Sequence, residues 1–210
     1  MSLLDDLAKN VIEGNAEGTK SLVKQALGEG IPPEKIINQG LIAAMSEVGR
    51  LFEAGEFYVP EMLIAARAMK GGLEVLRPSL AEADVQPVGR VVIGTVQGDL
   101  HDIGKNLVAM MLEGAGFEVI DLGTDVSPQK FIEAVRQHKP DLMGLSALLT
   151  TTMPKMKTTI QTLETEGLRG SVKVMIGGAP VTEKYAADIG ADLYAPDASA
   201  AATRAKQLMG

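Results

Sequence analysis

The sequence predicts an α/β protein in two parts: an N-terminal bundle of four to five helices, then a flavodoxin-like or Rossmann-like sheet of five parallel strands with helices on both faces. Three observations predict it. Apolar residues recur at helical spacing from Leu3 to Met69, and short β-branched runs alternate with helical stretches from Arg90 onward. Between them lies RPSLAEADVQPVG, residues 77 to 89, where two prolines, small residues and a lost apolar period mark a linker. The expected domains are therefore a helical part, 1–86, and a sheet part, 87–210.

In the helical part, Leu3, Leu4, Leu7 and Val11 form one apolar stripe, and Leu22, Val23, Ala26 and Leu27 a second. Ile36, Ile37, Leu41, Met45, Val48, Leu51 and Phe52 form the next, and Met62, Leu63, Ala66 and Met69 the last. The breaks fall at Gly14, at GEGIPPEK (28 to 35) and at GEFYVPE (55 to 61), where Gly55 and Pro60 are turn residues. In the second part the runs RVVIGTV, FEVIDLG, DLMGLSA, VKVMIGG and ADLYA read as strands, each followed by a helical stretch. One of these helices has Ser127 as its cap and Pro128 at its first position. Five such units in succession predict a doubly wound parallel sheet.

Composition narrows the function. With 210 residues and 46% hydrophobic content, the chain can bury a substantial core. The absence of cysteine excludes disulfides, thiolate metal sites and a cysteine nucleophile, and two histidines, His101 and His138, exclude a multi-histidine zinc site. The start, MSLLDDLAKNVIEG, lacks the basic residues and unbroken apolar run of a signal peptide, and no segment is long enough to span a bilayer. A cytoplasmic location without a membrane partner is expected. A net charge of −7 and 3% aromatics argue against a nucleic-acid partner.

In a flavodoxin-like sheet the binding crevice lies beyond the carboxyl ends of strands one, three and four. The loops there are QGDLHDI, SALLTTT and GGAPVT, among the most polar or glycine-rich stretches of the second part. The first holds Asp99, His101 and Asp102 in one turn, more chemistry than a connection needs. The plain alternative is that Asp102 caps the next helix and His101 is an exposed loop residue. A phosphate-binding loop fits poorly, because five residues separate Gly98 from Gly104, Lys105 is followed by Asn106, and two carboxylates would face the anion. No G-x-S-x-G elbow is present. A carboxylate-rich Mg²⁺ site of the response-regulator kind leaves His101 and Gly177-Gly178 unexplained.

All three loops together resemble the corrinoid (B12) binding proteins, whose pattern is D-x-H-x-x-G, then about forty residues to S-x-L, then somewhat under thirty to G-G. Asp99, His101 and Gly104 fill the first part; Ser146 and Leu148 follow after residues 105 to 145, and Gly177-Gly178 after residues 149 to 176. Upstream, VGRLFEAGEFYVPEMLIAARAMK is similar to the helical cap of cobalamin-dependent methionine synthase and of the small corrinoid proteins of methyl-transfer systems. The resemblance implies a cobalamin or related corrinoid as cofactor, with His101 as the lower axial cobalt ligand once the nucleotide base has left the metal. It gives Asp99 the other ring nitrogen, and Thr152 the position of a relay serine. Gly98 and Asp102 would be further contacts in the first loop. Gly104, Gly177 and Gly178 would clear a slot for the nucleotide tail, so that Gly178→Val should block binding while leaving the fold largely intact. Ser146 and Thr150 would hydrogen-bond the tail, Leu148 would wall it, and Ala198 would lie near the corrin edge. Phe52 and Val59 would cap the upper face, with Val59 standing where methionine synthase has leucine.

The function implied is a methyl carrier working between a donor-specific methyltransferase and an acceptor methyltransferase that uses tetrahydrofolate or a thiol, with a reductive activation partner. Such a chain is not a complete enzyme alone. The alternative class is a non-catalytic B12 sensor or storage protein. Mutases resemble only the second part, and B12-dependent repressors carry a DNA-binding domain ahead of the bundle. The linker, with Pro78, Pro87 and Gly89, would be a hinge between the two parts.

Overall fold

The computed structural model describes residues 2–209. The chain divides between Pro87 and Val88 into two compact units, the short stretch Gly114–Gly116 grouping with the first.

The first unit is helical: α1 (Leu3–Ile12), α2 (Ala16–Gly28), the single turn α3 (Pro33–Lys35), a π-helical run Ile36–Ile42, α4 (Ala43–Glu53) and α5 (Val59–Glu82). Local chemistry sets the starts. Ser2 and Asp5 form a reciprocal capping box on α1, and the Asn15 side chain accepts from the Gly18 N–H to cap α2. Helix α2 packs along α5, and α1 packs on α2 and α4. At the α2–α5 contact a side chain on Gly72 would lie 2.8 Å from Thr19 Cγ2, so only glycine allows the approach. Leu7, Val11, Val23, Ile36, Leu41, Val48 and Leu76 are fully buried, each stabilising the fold by about 1.5 to 3 kcal/mol.

Two features differ from the sequence reading. Pro78 lies inside α5, which continues to Glu82, so the connection to the first strand is residues 83 to 89 and not 77 to 89. Proline removes one helical hydrogen bond and crowds the carbonyl four residues earlier; buried Leu76 and Leu80 on either side hold the helix through it. The third predicted helix is composite, its first half wound as the wider π form from Ile36 to Ile42.

The second unit comprises β1 (Arg90–Thr95), α6 (Ile103–Gly114), β2 (Glu118–Asp121), α7 (Pro128–His138), β3 (Leu142–Ser146), α8 (Pro154–Thr165), a 3₁₀ turn (Arg169–Ser171), β4 (Lys173–Gly177), α9 (Glu183–Ile189), β5 (Leu193–Ala195) and α10 (Ala198–Met209). All strand pairs are parallel, in the order β2-β1-β3-β4-β5. Ser127 caps α7 by accepting from the Lys130 N–H, with Pro128 in the first turn, as the sequence predicts. On one face Val92, Met143, Leu145, Val174 and Ile176 pack with Phe131, Ile132 and Val135 of α7 and Met156, Ile160 and Leu163 of α8. The alternating residues Val91, Ile93, Leu142 and Met175 are buried as well, so both faces of the sheet are covered. Among the described residues no helix is long and apolar enough to cross a membrane.

The register positions the site. Thr95, Ser146, Gly177 and Ala195 pair in a single row across β1, β3, β4 and β5. Four chain segments therefore leave the sheet side by side at its carboxyl edge.

Candidate functional site

Strand order reverses at β1 and β3, and the loops after these two strands interlock through one carboxylate. The Asp99 side chain is fully buried, a placement that costs an ionised group several kcal/mol unless donors surround it. They do. Its Oδ1 accepts from His101 Nδ1 at 2.7 Å and from the His101 N–H at 3.1 Å. Its Oδ2 accepts from the Leu148 N–H at 2.8 Å, the Leu149 N–H at 3.2 Å and the Thr152 hydroxyl at 2.8 Å. Burial pushes this carboxyl's pKa up, but the hydrogen bonds from His101, Thr152 and the backbone of His101 and Leu148 outweigh it and hold the group well below the usual carboxylate range.

An ionised carboxylate only accepts, so His101 Nδ1 carries the proton and Nε2 keeps its lone pair. The imidazole is half exposed, against a carboxylate that is wholly covered. Thr152 Oγ1 also lies 2.8 Å from the Leu149 carbonyl. That oxygen already accepts the N–H groups of Thr152 and Met153, which leaves the hydroxyl proton for Asp99. From below, the buried Thr95 hydroxyl donates to the His101 carbonyl at 2.8 Å.

Around this polar centre the usual burial preference is inverted. Leu100 and Ile103 are 73% and 75% exposed, and Leu148 and Leu149 are 43% and 41% exposed. Leu100, Ile103 and Leu149 escape a sequence reading built on polar motifs; the signal that could have found them is apolar residues inside loops that carry chemistry. Among the described residues no group of three or more His, Cys, Asp or Glu is arranged to hold a metal ion. A metal at His101 would have to bring most of its own ligands, as one held in a macrocycle does, and a flat apolar macrocycle would suit the exposed leucines.

The glycines divide into two kinds. A side chain on Gly104 would meet nothing within 4 Å, so open space lies there. Gly178 sits at φ +130° and a side chain there would lie 1.9 Å from the Ala147 carbonyl oxygen, with the Gly177 position 3.1 Å from the Ala195 carbonyl. Gly178 is thus required by the backbone itself, and the expectation that Gly178→Val leaves the fold largely intact is corrected.

Other residues singled out from the sequence are distributed as follows. Gly98 is at φ +84° beside Thr152. The Asp102 carboxylate accepts from the Asn106 side-chain amide at 3.1 Å. Ser146 ends β3, with its carbonyl accepting from the Val96 N–H at 3.0 Å, and Thr150 is exposed in the following loop. Ala198 is the buried first residue of α10. Phe52, near the end of α4, and Val59, the first residue of α5, flank the turn 54–58 of the helical unit. Lys105 is buried against the Asp121 carboxylate and donates to Asn106 Oδ1 at 2.7 Å, so its ammonium is already paired inside the fold, against the phosphate-loop reading. His138 belongs to the opposite edge of the sheet, where its carbonyl accepts from Arg90.

A doubly wound sheet whose switch-point loops present one tautomer-fixed imidazole in an apolar surround has the parts of a cofactor-binding protein. Residues 89–203 match the B12 binding domain family, and residues 3–77 match a second family, also described as a B12 binding domain. The chain is 47% identical over 208 residues to dimethylamine corrinoid protein 1 of Methanosarcina acetivorans, covering 99% of this chain and 97% of that protein. It is 39% identical over 213 residues to a corrinoid protein of Desulfitobacterium hafniense, covering 100% and 99%. Its fold superposes on the methanol:cobalamin methyltransferase complex of Methanosarcina barkeri with a TM-score of 0.89 at 30% identity, covering 99% of this chain and 79% of that chain. The chain belongs to the B12-binding family, and its cofactor is a cobalamin or related corrinoid.

Proposed function

We propose that this chain carries a methyl group on the cobalt of its corrinoid between a donor-specific methyltransferase and an acceptor methyltransferase, with His101 as the lower axial ligand. The observation that carries the reading is the 2.7 Å hydrogen bond from His101 Nδ1 to the buried Asp99 carboxylate, which leaves Nε2 as a lone-pair donor in the apolar surround. When bound, the corrinoid supplies a metal centre able to accept a methyl group and to release it, and the protein orients and shields that centre.

The residue roles follow from this. Asp99 fixes the imidazole and Thr152 fixes Asp99, the arrangement that raises a ligating histidine's basicity. Leu100, Ile103 and Leu149 cover the lower face of the macrocycle, and Leu148 walls the nucleotide tail. Gly104 leaves space for the nucleotide tail beside Gly177 and Gly178, and Ser146 and Thr150 hydrogen-bond it. Gly98, Asp102 and Ala198 border the same edge, while Phe52 and Val59 of the helical unit serve the upper face. The relatives named dimethylamine and trimethylamine corrinoid proteins, 47% and 44% identical, favour a methylated amine as donor. The partners are then the two methyltransferases and a reductive activation protein that restores the cobalt to its methyl-accepting state. Their acceptor is tetrahydrofolate or a thiol.

The test begins with the purified protein mixed with hydroxocobalamin, desalted and read by visible absorption. Retained corrinoid is then reduced and incubated with a methylated amine and its methyltransferase, with methylation of cobalt followed spectrally. Retention with methylation is expected. Methylation from methanol or a methoxylated aromatic with its own methyltransferase, and not from an amine, would change the donor, and retention without methylation by any of these would move the chain to the sensor or storage class.

A further inference from the structure

The loop bearing Asp99 and His101 is held from the far side of β1 by a residue outside the signature motif. Asp125 lies in the loop after β2, next to the parallel bridge between Val96 and Val126. It grips the neighbouring loop twice. Its Oδ1 accepts from the Gly98 N–H at 2.7 Å, and its own N–H donates to the Asp99 carbonyl at 3.0 Å. The two bonds bracket the dipeptide Gly98-Asp99. Gly98, at φ +84°, is the most freely rotating joint available immediately before the buried carboxylate. A rotation there would swing Asp99 Oδ1 away from His101 Nδ1. Asp125 itself sits at φ +53°, a left-handed conformation that among residues with a side chain asparagine and aspartate tolerate best.

We infer that Asp125 is a positioning residue for His101: by clamping Gly98-Asp99 it holds the carboxylate that fixes the imidazole tautomer and so presents Nε2 to the cobalt. The inference rests on the reading of His101 as axial ligand, and its test separates the two. The Thr95 hydroxyl already fixes the His101 carbonyl, so the backbone at Gly98 is the joint left for Asp125 to restrain.

Two variants divide the contributions. Asp125→Asn keeps an oxygen acceptor in the same place and tolerates the left-handed backbone. Asp125→Gly accepts that backbone with ease but has no acceptor. In the protein without corrinoid, labelled with ¹⁵N-histidine and held at alkaline pH, nitrogen NMR reports which ring nitrogen of His101 bears the proton. Wild type and Asp125→Asn should show the Nδ1–H form, and Asp125→Gly a mixture of both tautomers, with an unchanged circular dichroism spectrum. After loading with cobalamin and reduction to Co(II), electron paramagnetic resonance should show the histidine-ligated fraction relative to the base-ligated one falling about tenfold in Asp125→Gly only, the scale seen when groups behind a metal ligand are lost. An Asp125→Gly protein with the wild-type tautomer and ligated fraction would overturn the inference. So would an Asp125→Asn protein as impaired as Asp125→Gly. If wild-type Co(II) carries no histidine nitrogen, the axial-ligand reading fails, and the tautomer measurement still decides whether Asp125 clamps the loop.

Discussion

The two ends of the sheet obey opposite rules of burial. At the amino end, charges stay near solvent and pair with one another: Arg90 with Glu118 at 2.7 Å and with the His138 carbonyl, Arg169 with Asp192 at 2.7 Å, and Lys173 with Asp192 at 3.5 Å. At the carboxyl end a carboxylate is fully buried while four leucine and isoleucine side chains stand exposed. Both ends belong to the same strands, so the difference does not come from the sheet. The amino end is arranged as stability alone would arrange it. The carboxyl end offsets the burial of its carboxylate with five hydrogen bonds but leaves apolar side chains exposed that a bound ligand would cover, at the place where an open α/β sheet has its ligand crevice.

Substitutions at the two ends should separate in size. The largest effect is expected of Gly178→Val, because its side chain would overlap the Ala147 carbonyl: a loss of about 4 kcal/mol or more, seen as protein that is unfolded or insoluble. Gly104→Val, with nothing within 4 Å of its first side-chain atom, should melt within a few degrees of wild type by circular dichroism, yet retain less corrinoid after desalting. A Gly104→Val protein that binds as wild type does would show the nucleotide slot to lie elsewhere.

Next in size is Asp99→Ala, which leaves the Leu148 and Leu149 N–H groups without their acceptor and takes one of two acceptors from the Thr152 hydroxyl. A loss of about 3 kcal/mol is expected from urea denaturation, on the scale of hydrogen bonds to a charged group. Asp99 also makes a pH prediction. Its folded pKa is depressed by its donors despite burial, so its contribution is fully present above the ordinary carboxylate pKa of about 3.9 and is lost as pH falls toward the lower folded value. Without corrinoid, the stability gap between wild type and Asp99→Asn should be constant above about pH 5 and shrink progressively below it. A gap that widened on acidification would mean that Asp99 is held protonated.

The smallest effect belongs to the amino end. The Arg90–Glu118 pair is nearly half exposed on both sides, and Glu118→Gln should change stability by about 0.5 kcal/mol or less, with corrinoid retention unaltered.

Much of this architecture is legible in the sequence because it rests on local rules. Alternating β-branched and helical stretches give the five strand-helix units, Ser127 with Pro128 gives the start of α7, and the spacing of Asp99, His101 and the SALLTTT loop gives one connected cluster in the fold. What escapes is set by contacts between distant segments. Pro78 reads as a break, and only the packing of Leu76 and Leu80 carries α5 past it. Ile36–Ile42 has the apolar pattern of an ordinary helix, and the close seat of α1, whose Leu7 occupies the place of a Gly40 side chain, is visible in no window of sequence. Gly178 reads as slot-clearing, but its neighbour across β3 and β4 is a carbonyl oxygen. Asp125 belongs to no motif at all; its partners lie 26 and 27 residues away.

The central claim is that His101, its Nδ1–H hydrogen-bonded to the Asp99 carboxylate, provides the nitrogen on cobalt. Electron paramagnetic resonance of the Co(II) form tests it directly when the protein is prepared once with natural histidine and once with ¹⁵N-histidine, each loaded with the same unlabelled cobalamin. The nitrogen splitting of the cobalt lines should change from triplets to doublets on labelling the histidine. Triplets that persist in the labelled protein would mean that the nucleotide base remains on the metal, and would contradict the assignment of His101.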